Sequence, residues 1–150
     1  MNILVPIEDL SDSVAVLSDK DLRKQLSDNK KILAELDALD PNSNLEEGYE
    51  PVLAMWRGHC DAIRHYHNLC VYFARKRGMN TRAKSLNIDN FSYTMPWWWG
   101  NDRVHGSHRS SLLKKNHLHY SKFWKEEYDR SLYWPKPDEE HHSNDSGSYR

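Results

Sequence analysis

An apolar stripe beginning at Val52 limits what this chain can fold into more than any other feature. Val52, Trp56, His59, Ile63, Tyr66, Cys70 and Phe73 recur at alternating intervals of four and three, the spacing that keeps side chains on one face of an α-helix. Pro51 suits a first helical turn, and Arg75-Lys76-Arg77 before Gly78 suits a helix end, because cations favour the last carbonyls and glycine the left-handed cap. The stripe predicts one unbroken core helix of about seven turns, with His59 on it as a hydrogen-bonded core histidine.

The flanking segments are read the same way. Leu10, Val14 and Leu17 predict a short helix; Ser18 with Asp21 three residues on marks the start of a long one, whose Leu22, Leu26, Leu33, Leu36 and Leu39 share a face until Asp40-Pro41. Val104 to about Tyr128 reads as a third long helix, with Leu112, Leu113, Leu118 or Tyr120, and Phe123 or Trp124 inward. Ile3-Leu4-Val5, stopped by Pro6, is too short for an independent strand and is expected to pack as an extended arm. Residues 79–94 show no period, and Tyr133-Trp134-Pro135 looks like a closing clasp. The expectation is an all-α single domain over residues 1–135, built from three main helices, an extended N-terminal arm and long loops. The polar residues 136–150 are expected to be a disordered tail.

No run of about 20 apolar residues is present, and the N-terminus lacks a basic start and an apolar core, so a cytoplasmic protein away from the membrane is expected. Cys60 and Cys70 lie ten apart on the predicted core helix, too far along its axis for a disulfide, and are read as reduced and partly buried. The net charge of −1 conceals an asymmetry. Residues 1–50 carry 5 Lys/Arg against 12 Asp/Glu, and residues 57–130 carry 14 against 6. A basic middle between acidic ends fits a phosphate backbone, or equally two halves that neutralise each other across a helix contact.

The chemistry concentrates between Met95 and Tyr120. Three of the six tryptophans stand together at Trp97, Trp98 and Trp99, bracketed by Pro96 and Gly100; four of the nine histidines follow, among Arg103, Arg109, Lys114 and Lys115. Aromatic surface beside positive charge suits a polyanion whose bases can be stacked upon; the plainer alternative is a tryptophan core with a solvated basic face. His105-x-x-His108 puts two imidazoles on neighbouring positions of a helix, but no carboxylate stands at ligand spacing and neither cysteine is near, so no metal is expected. The serines beside His108 lack the Gly-x-Ser-x-Gly turn, and no glycine-rich phosphate loop occurs. No cofactor is expected.

Specific blocks carry a resemblance. Met1-Asn2 through Pro6, then Leu17, Lys20, Leu22 and Lys24-Gln25, Met55-Trp56-Arg57-Gly58, Arg77-Gly78, His105-x-Ser107-His108-Arg109, Lys115, His119-Tyr120 and Tyr133-x-Pro135 resemble the endonuclease V-like proteins of bacteria and phages, grouped as pyrimidine-dimer DNA glycosylases. The resemblance implies an all-α fold and a DNA glycosylase with abasic-site lyase activity on damaged or modified pyrimidines. Its N-terminal amine would attack the sugar to give an imine, and an α-amine suits that task because its class titrates at about 8.

Two departures matter. Asn2 follows Met1, so the terminal amine would belong to Met1; and where the family carries a catalytic glutamate this chain offers Arg23-Lys24-Gln25. The catalytic candidates are therefore Met1, Asn2, Lys24 and Gln25, with His105 and His108 for acid–base work. The nucleic-acid-binding candidates are Arg23, Arg57, Trp97, Trp98, Trp99, Arg103, Arg109, Lys114 and Lys115, with DNA the expected partner and RNA or a nucleotide the alternatives. A binding protein or a protein-interaction module on the same scaffold is the other reading.

Overall fold

Side chains, not strands, satisfy the backbone of the N-terminal arm, and this determines how the helices are arranged around it. The computed structural model describes residues 1–40, 50–125 and 131–135. It contains α1 (Leu10–Ala15), α2 (Asp19–Ala38), α3 (Pro51–Trp56), α4 (Cys60–Lys76), α5 (Asp102–Lys115) and α6 (His117–Tyr120), with no strand among the described residues. The three longest, α2, α4 and α5, are the expected main helices. α4 packs on α2 and α1, and no helix is long and apolar enough to cross a membrane among the described residues.

Ile3 and Val5 of the arm are fully buried beside Leu22 and Ile32 of α2, Trp56 of α3, Ile63 and Tyr66 of α4, and Leu112 and Leu113 of α5. Burying such a side chain is worth about 1.5–3 kcal/mol, so the arm is part of the core. Its polar groups are met from both sides. From α2, Gln25 Oε1 accepts Leu4 N–H at 3.1 Å, Gln25 Nε2 donates to Asn2 O at 2.8 Å and Asp28 Oδ2 accepts Asn2 N–H at 3.2 Å. From α5, His108 Nδ1 accepts Val5 N–H at 2.8 Å, His105 Nδ1 donates to Val5 O at 2.7 Å and Arg109 donates to Pro6 O at 2.9 Å. Tyr66 of α4 donates to Leu4 O at 2.6 Å. Pro6 brings no N–H of its own, which suits the end of the arm.

The predicted unbroken helix over the Val52 stripe is in fact two. Gly58 takes φ +84° between α3 and α4, a conformation that glycine adopts without steric cost. His59 is then only half-buried, its Nδ1 3.0 Å from Thr94 O, instead of lying on a core face. A Cβ at Gly58 would meet nothing within 4 Å, so the cost of Gly58→Ala is backbone strain alone. It is expected to be about 1–2 kcal/mol in urea unfolding, with Gly58→Asn milder; no loss for alanine would show that the turn relaxes freely.

The third helix also ends early. Asn116 leaves the helical region at φ −149°, and its side chain accepts His119 N–H to cap α6. Leu112, Leu113 and Tyr120 are buried as expected, but Leu118 is 86% exposed. Ser18 caps α2 as predicted, accepting Asp21 N–H. Cys60 and Cys70 are free thiols on α4, and burial pushes Cys70 up to about 12. The clasp is present too: Trp134 packs edge-on against Trp98 at 5.2 Å and His108 at 4.7 Å, and Tyr133 N–H donates to Ser107 Oγ at 2.9 Å. The expected tail at 136–150 lies outside the described residues.

Candidate active site

Where the arm meets α2 and the end of α5, a cavity of ≈130 Å³ is lined by Met1, Asn2, Leu4, Asp21, Lys24, Gln25, Asp28, Ser111, Leu112, Lys115 and Leu132. Asp21, Lys24, Gln25 and Asp28 follow intervals of three, one and three along α2, so they share its arm-facing side. Asp28 is 6% exposed and accepts both Asn2 N–H, at 3.2 Å, and Lys24 Nζ, at 2.8 Å. The terminal amine of Met1 lies 3.4 Å from Glu50 Oε2. Three amines, of Met1, Lys24 and Lys115, and three carboxylates thus stand in or beside one small space.

Asp21 forms the cavity's second charged cluster. Its carboxylate accepts Tyr120 O–H at 2.5 Å and Ser18 O–H at 3.1 Å, and pairs with Lys115 Nζ at 2.6 Å. Burial alone would raise its pKa, but the hydrogen bonds from Lys115 and Tyr120 outweigh it and hold the carboxyl below its ordinary range. Burial, then the bond to Asp21, pushes the Tyr120 phenol well up, so Tyr120 is a donor at neutral pH. Tyr120→Phe removes a hydrogen bond to a charged group and is expected to cost about 2 kcal/mol at pH 7. Equal urea midpoints for variant and parent would show that Lys115 suffices.

The structure separates the residues singled out in the sequence. Met1, Asn2, Lys24, Gln25 and Lys115 line the cavity. His105 and His108 do not: they are 3% and 0% exposed, and both Nδ1 atoms are engaged with Val5. The bonds require opposite neutral tautomers, because His108 Nδ1 accepts whereas His105 Nδ1 donates and its Nε2 accepts Gly100 N–H at 3.0 Å. Burial first, then the neighbouring His105 and Arg109, lowers His108 to about 3, and burial lowers His105 as well.

The aromatic and basic candidates are also redistributed. Trp98 is fully buried, donating to Met55 O at 3.0 Å and packed edge-on against Trp56 at 5.2 Å. Its expected place on a stacking platform is therefore corrected to core; Trp97 and Trp99 are half-buried beside it. Arg109 pairs with Asp102 at 3.0 Å as well as Pro6 O. Arg103 lies over the Tyr133 ring at 4.1 Å, Arg57 donates to Asp40 O at 2.9 Å, and Arg23 to Asn80 O at 2.8 Å. Lys114 is exposed.

Asp28 and Glu50 were not singled out from the sequence, and Asp21 only as part of a helix start. The signal for the two aspartates was legible, since Asp21 and Asp28 stand seven apart and bracket Lys24, a one-face spacing. Glu50 becomes relevant only through the fold.

The family model for pyrimidine dimer DNA glycosylases matches residues 1–87. That stretch holds the arm and α1 to α4 and ends short of α5 and the clasp, so the blocks of the expected resemblance that lie beyond residue 87 fall outside the match. No curated protein and no solved structure matches the chain.

Proposed function

The chain belongs to the pyrimidine dimer DNA glycosylase family, and from that premise we propose that it excises a damaged or modified pyrimidine from DNA using the Met1 α-amine as nucleophile. The neutral amine attacks C1′, a C–N bond forms, the bond from C1′ to the base breaks, and the base leaves with a proton. Opening of the sugar ring gives an imine, and loss of a C2′ proton then expels the 3′ phosphate. Water hydrolyses the imine and frees the amine.

The observation that carries this reading is the Asn2–Asp28 contact, 3.2 Å from backbone N–H to carboxylate, which pins the first peptide at the cavity mouth. Asp28 is the carboxylate we assign to the proton transfers that the family's glutamate would perform. Lys24, held on the same carboxylate, is the rival amine. Gln25, His105, His108 and Arg109 are assigned to positioning, since each bonds to the arm. The cavity is small, ≈130 Å³, which favours attack on the sugar with the lesion held outside.

Borohydride trapping on duplexes bearing an abasic site or a pyrimidine dimer tests the assignment. Acetylating the terminal amine or extending the chain by one residue should abolish trapping and leave DNA binding intact; Lys24→Ala should trap normally. Asp28→Asn should keep binding and slow trapping by about 10²–10⁴-fold. The opposite pattern, acetylation tolerated and Lys24→Ala dead, would transfer the role to Lys24. Absence of an imine from every substrate would leave a DNA-binding protein on this scaffold.

A further inference from the structure

Leu118 is the most exposed large apolar side chain of the described residues, at 86%, and it stands on one of the better-anchored turns. Just after Leu118, His119 Nε2 donates to Val16 O at 2.9 Å, and Tyr120 O–H reaches Asp21 at 2.5 Å while accepting Ser18 N–H at 3.0 Å; just before it, Asn116 caps the turn. These partners lie about a hundred residues away in sequence, so the turn is fixed to the body of the fold rather than merely continuing α5. A solitary exposed leucine usually needs no explanation; one followed by two residues that long-range bonds fix to the body of the fold is presented in advance of a contact.

The surroundings identify the contact. Between Arg103 and Lys125 the sequence has no Asp or Glu, and Lys114, Lys115, His117, Lys122 and Lys125 are all exposed around the turn. Leu118 is three residues beyond Lys115, a cavity-lining residue, and three residues span at most about 11 Å. An apolar side chain in a stretch of exposed cations, within a nucleotide or two of a small cavity, matches double-stranded DNA opened at one base step. Accordingly, we propose that Leu118 is a wedge that enters the base stack beside the lesion and holds it open while Lys114 and Lys122 contact flanking phosphates. This inference rests on the reading of the cavity as the sugar site.

The test uses the full chain and a lesion duplex carrying 2-aminopurine next to an abasic site. The parent should raise 2-aminopurine fluorescence on binding, because unstacking relieves its quenching. Leu118→Ala, a surface change that leaves the fold intact, should keep affinity and salt dependence for lesion-free duplex but lose the fluorescence rise. It should also trap duplex about tenfold more slowly while matching the parent on a single-stranded abasic oligonucleotide, where nothing has to be opened; Leu118→Met should restore most of the loss. Lys114→Gln and Lys122→Gln should each lower the salt slope by about 1. A fluorescence rise and a duplex-to-single-strand ratio unchanged by Leu118→Ala would overturn the wedge. Unstacking by the parent without any imine would leave the wedge standing and remove the lyase instead.

Discussion

Lowering the pH from about 6.5 towards 3 is expected to strip stability from the fold, with His108 alone contributing close to one proton of linkage. In the native state burial holds His108 at about 3, whereas an unfolded histidine titrates near 6.5. Between these values the unfolded chain binds a proton that the native chain refuses. The stability contributed is complete above about 6.5, falls by up to about 1.4 kcal/mol per pH unit below it, and stops falling once the native ring titrates. His105 and His67 are lowered in the same direction, burial again being the first cause, and steepen the loss. The diagnostic window is pH 6.5 to 5, above most carboxylates. Urea unfolding of His108→Gln should show lower stability at pH 7, because Val5 N–H loses a rigid acceptor, and a flatter dependence on pH through that window. Parallel profiles for variant and parent would mean that His108 is not buried neutral.

The consequence is structural before it is chemical. His105 and His108 are the clamp on the arm, so acid that charges them loosens the segment carrying the terminal amine. A fall in activity below pH 6 would then track loss of the arm, and the His108→Gln profile separates that from titration of a catalytic group.

How much of this was legible in the sequence depended on whether a local pattern or a tertiary contact decided the outcome. The start of α2 at Ser18, the stripes on α2 and α4 and the clasp at Tyr133-Trp134 each follow from spacing and residue type, and all appear. The breaks at Gly58 and Asn116 were missed because periodicity carries across a turn when the two helices continue to face the same core; a glycine inside a stripe was the one available warning. Trp98 was read with Trp97 and Trp99 as a loop platform, since nothing local reveals that Met55 O would take its indole N–H. The histidines were misplaced for a related reason. Composition identifies an imidazole but not its exposure, and only the arm's unpaired backbone, a contact about a hundred residues distant, explains why two neutral rings are buried there.

Gln25→Ala is expected to combine a loss of about 2–4 kcal/mol with a near-complete loss of imine trapping. Gln25 is 3% exposed and uses both ends of its amide: Oε1 accepts Leu4 N–H, and Nε2 donates to Asn2 O at 2.8 Å and Asn29 Oδ1 at 2.9 Å. Truncation leaves Leu4 N–H and Asn2 O without these partners on the α2 side, while the α5 clamp on Val5 and Pro6 remains. The arm should therefore stay attached at its far end and, with Asn2 N–H to Asp28 its one remaining backbone bond to α2, lose register at Met1 and Asn2, where displacement by about 1 Å costs about a hundredfold in rate. Gln25→Glu keeps an acceptor for Leu4 N–H but turns a carboxylate towards Asn2 O, so it is expected to fail as well, even though it restores an acid to the helix where the family carries one. DNA affinity and its salt dependence should be unchanged in Gln25→Ala, because Gln25 carries no charge and its side-chain hydrogen bonds go to the arm and Asn29. Lys24→Ala, which removes a largely exposed side chain from the same turn, should retain stability and trapping. Should Gln25→Ala lose the stability but trap an imine at the parental rate, the amide's grip on the arm would be structural only, and the reacting amine would have to be one that the arm does not position.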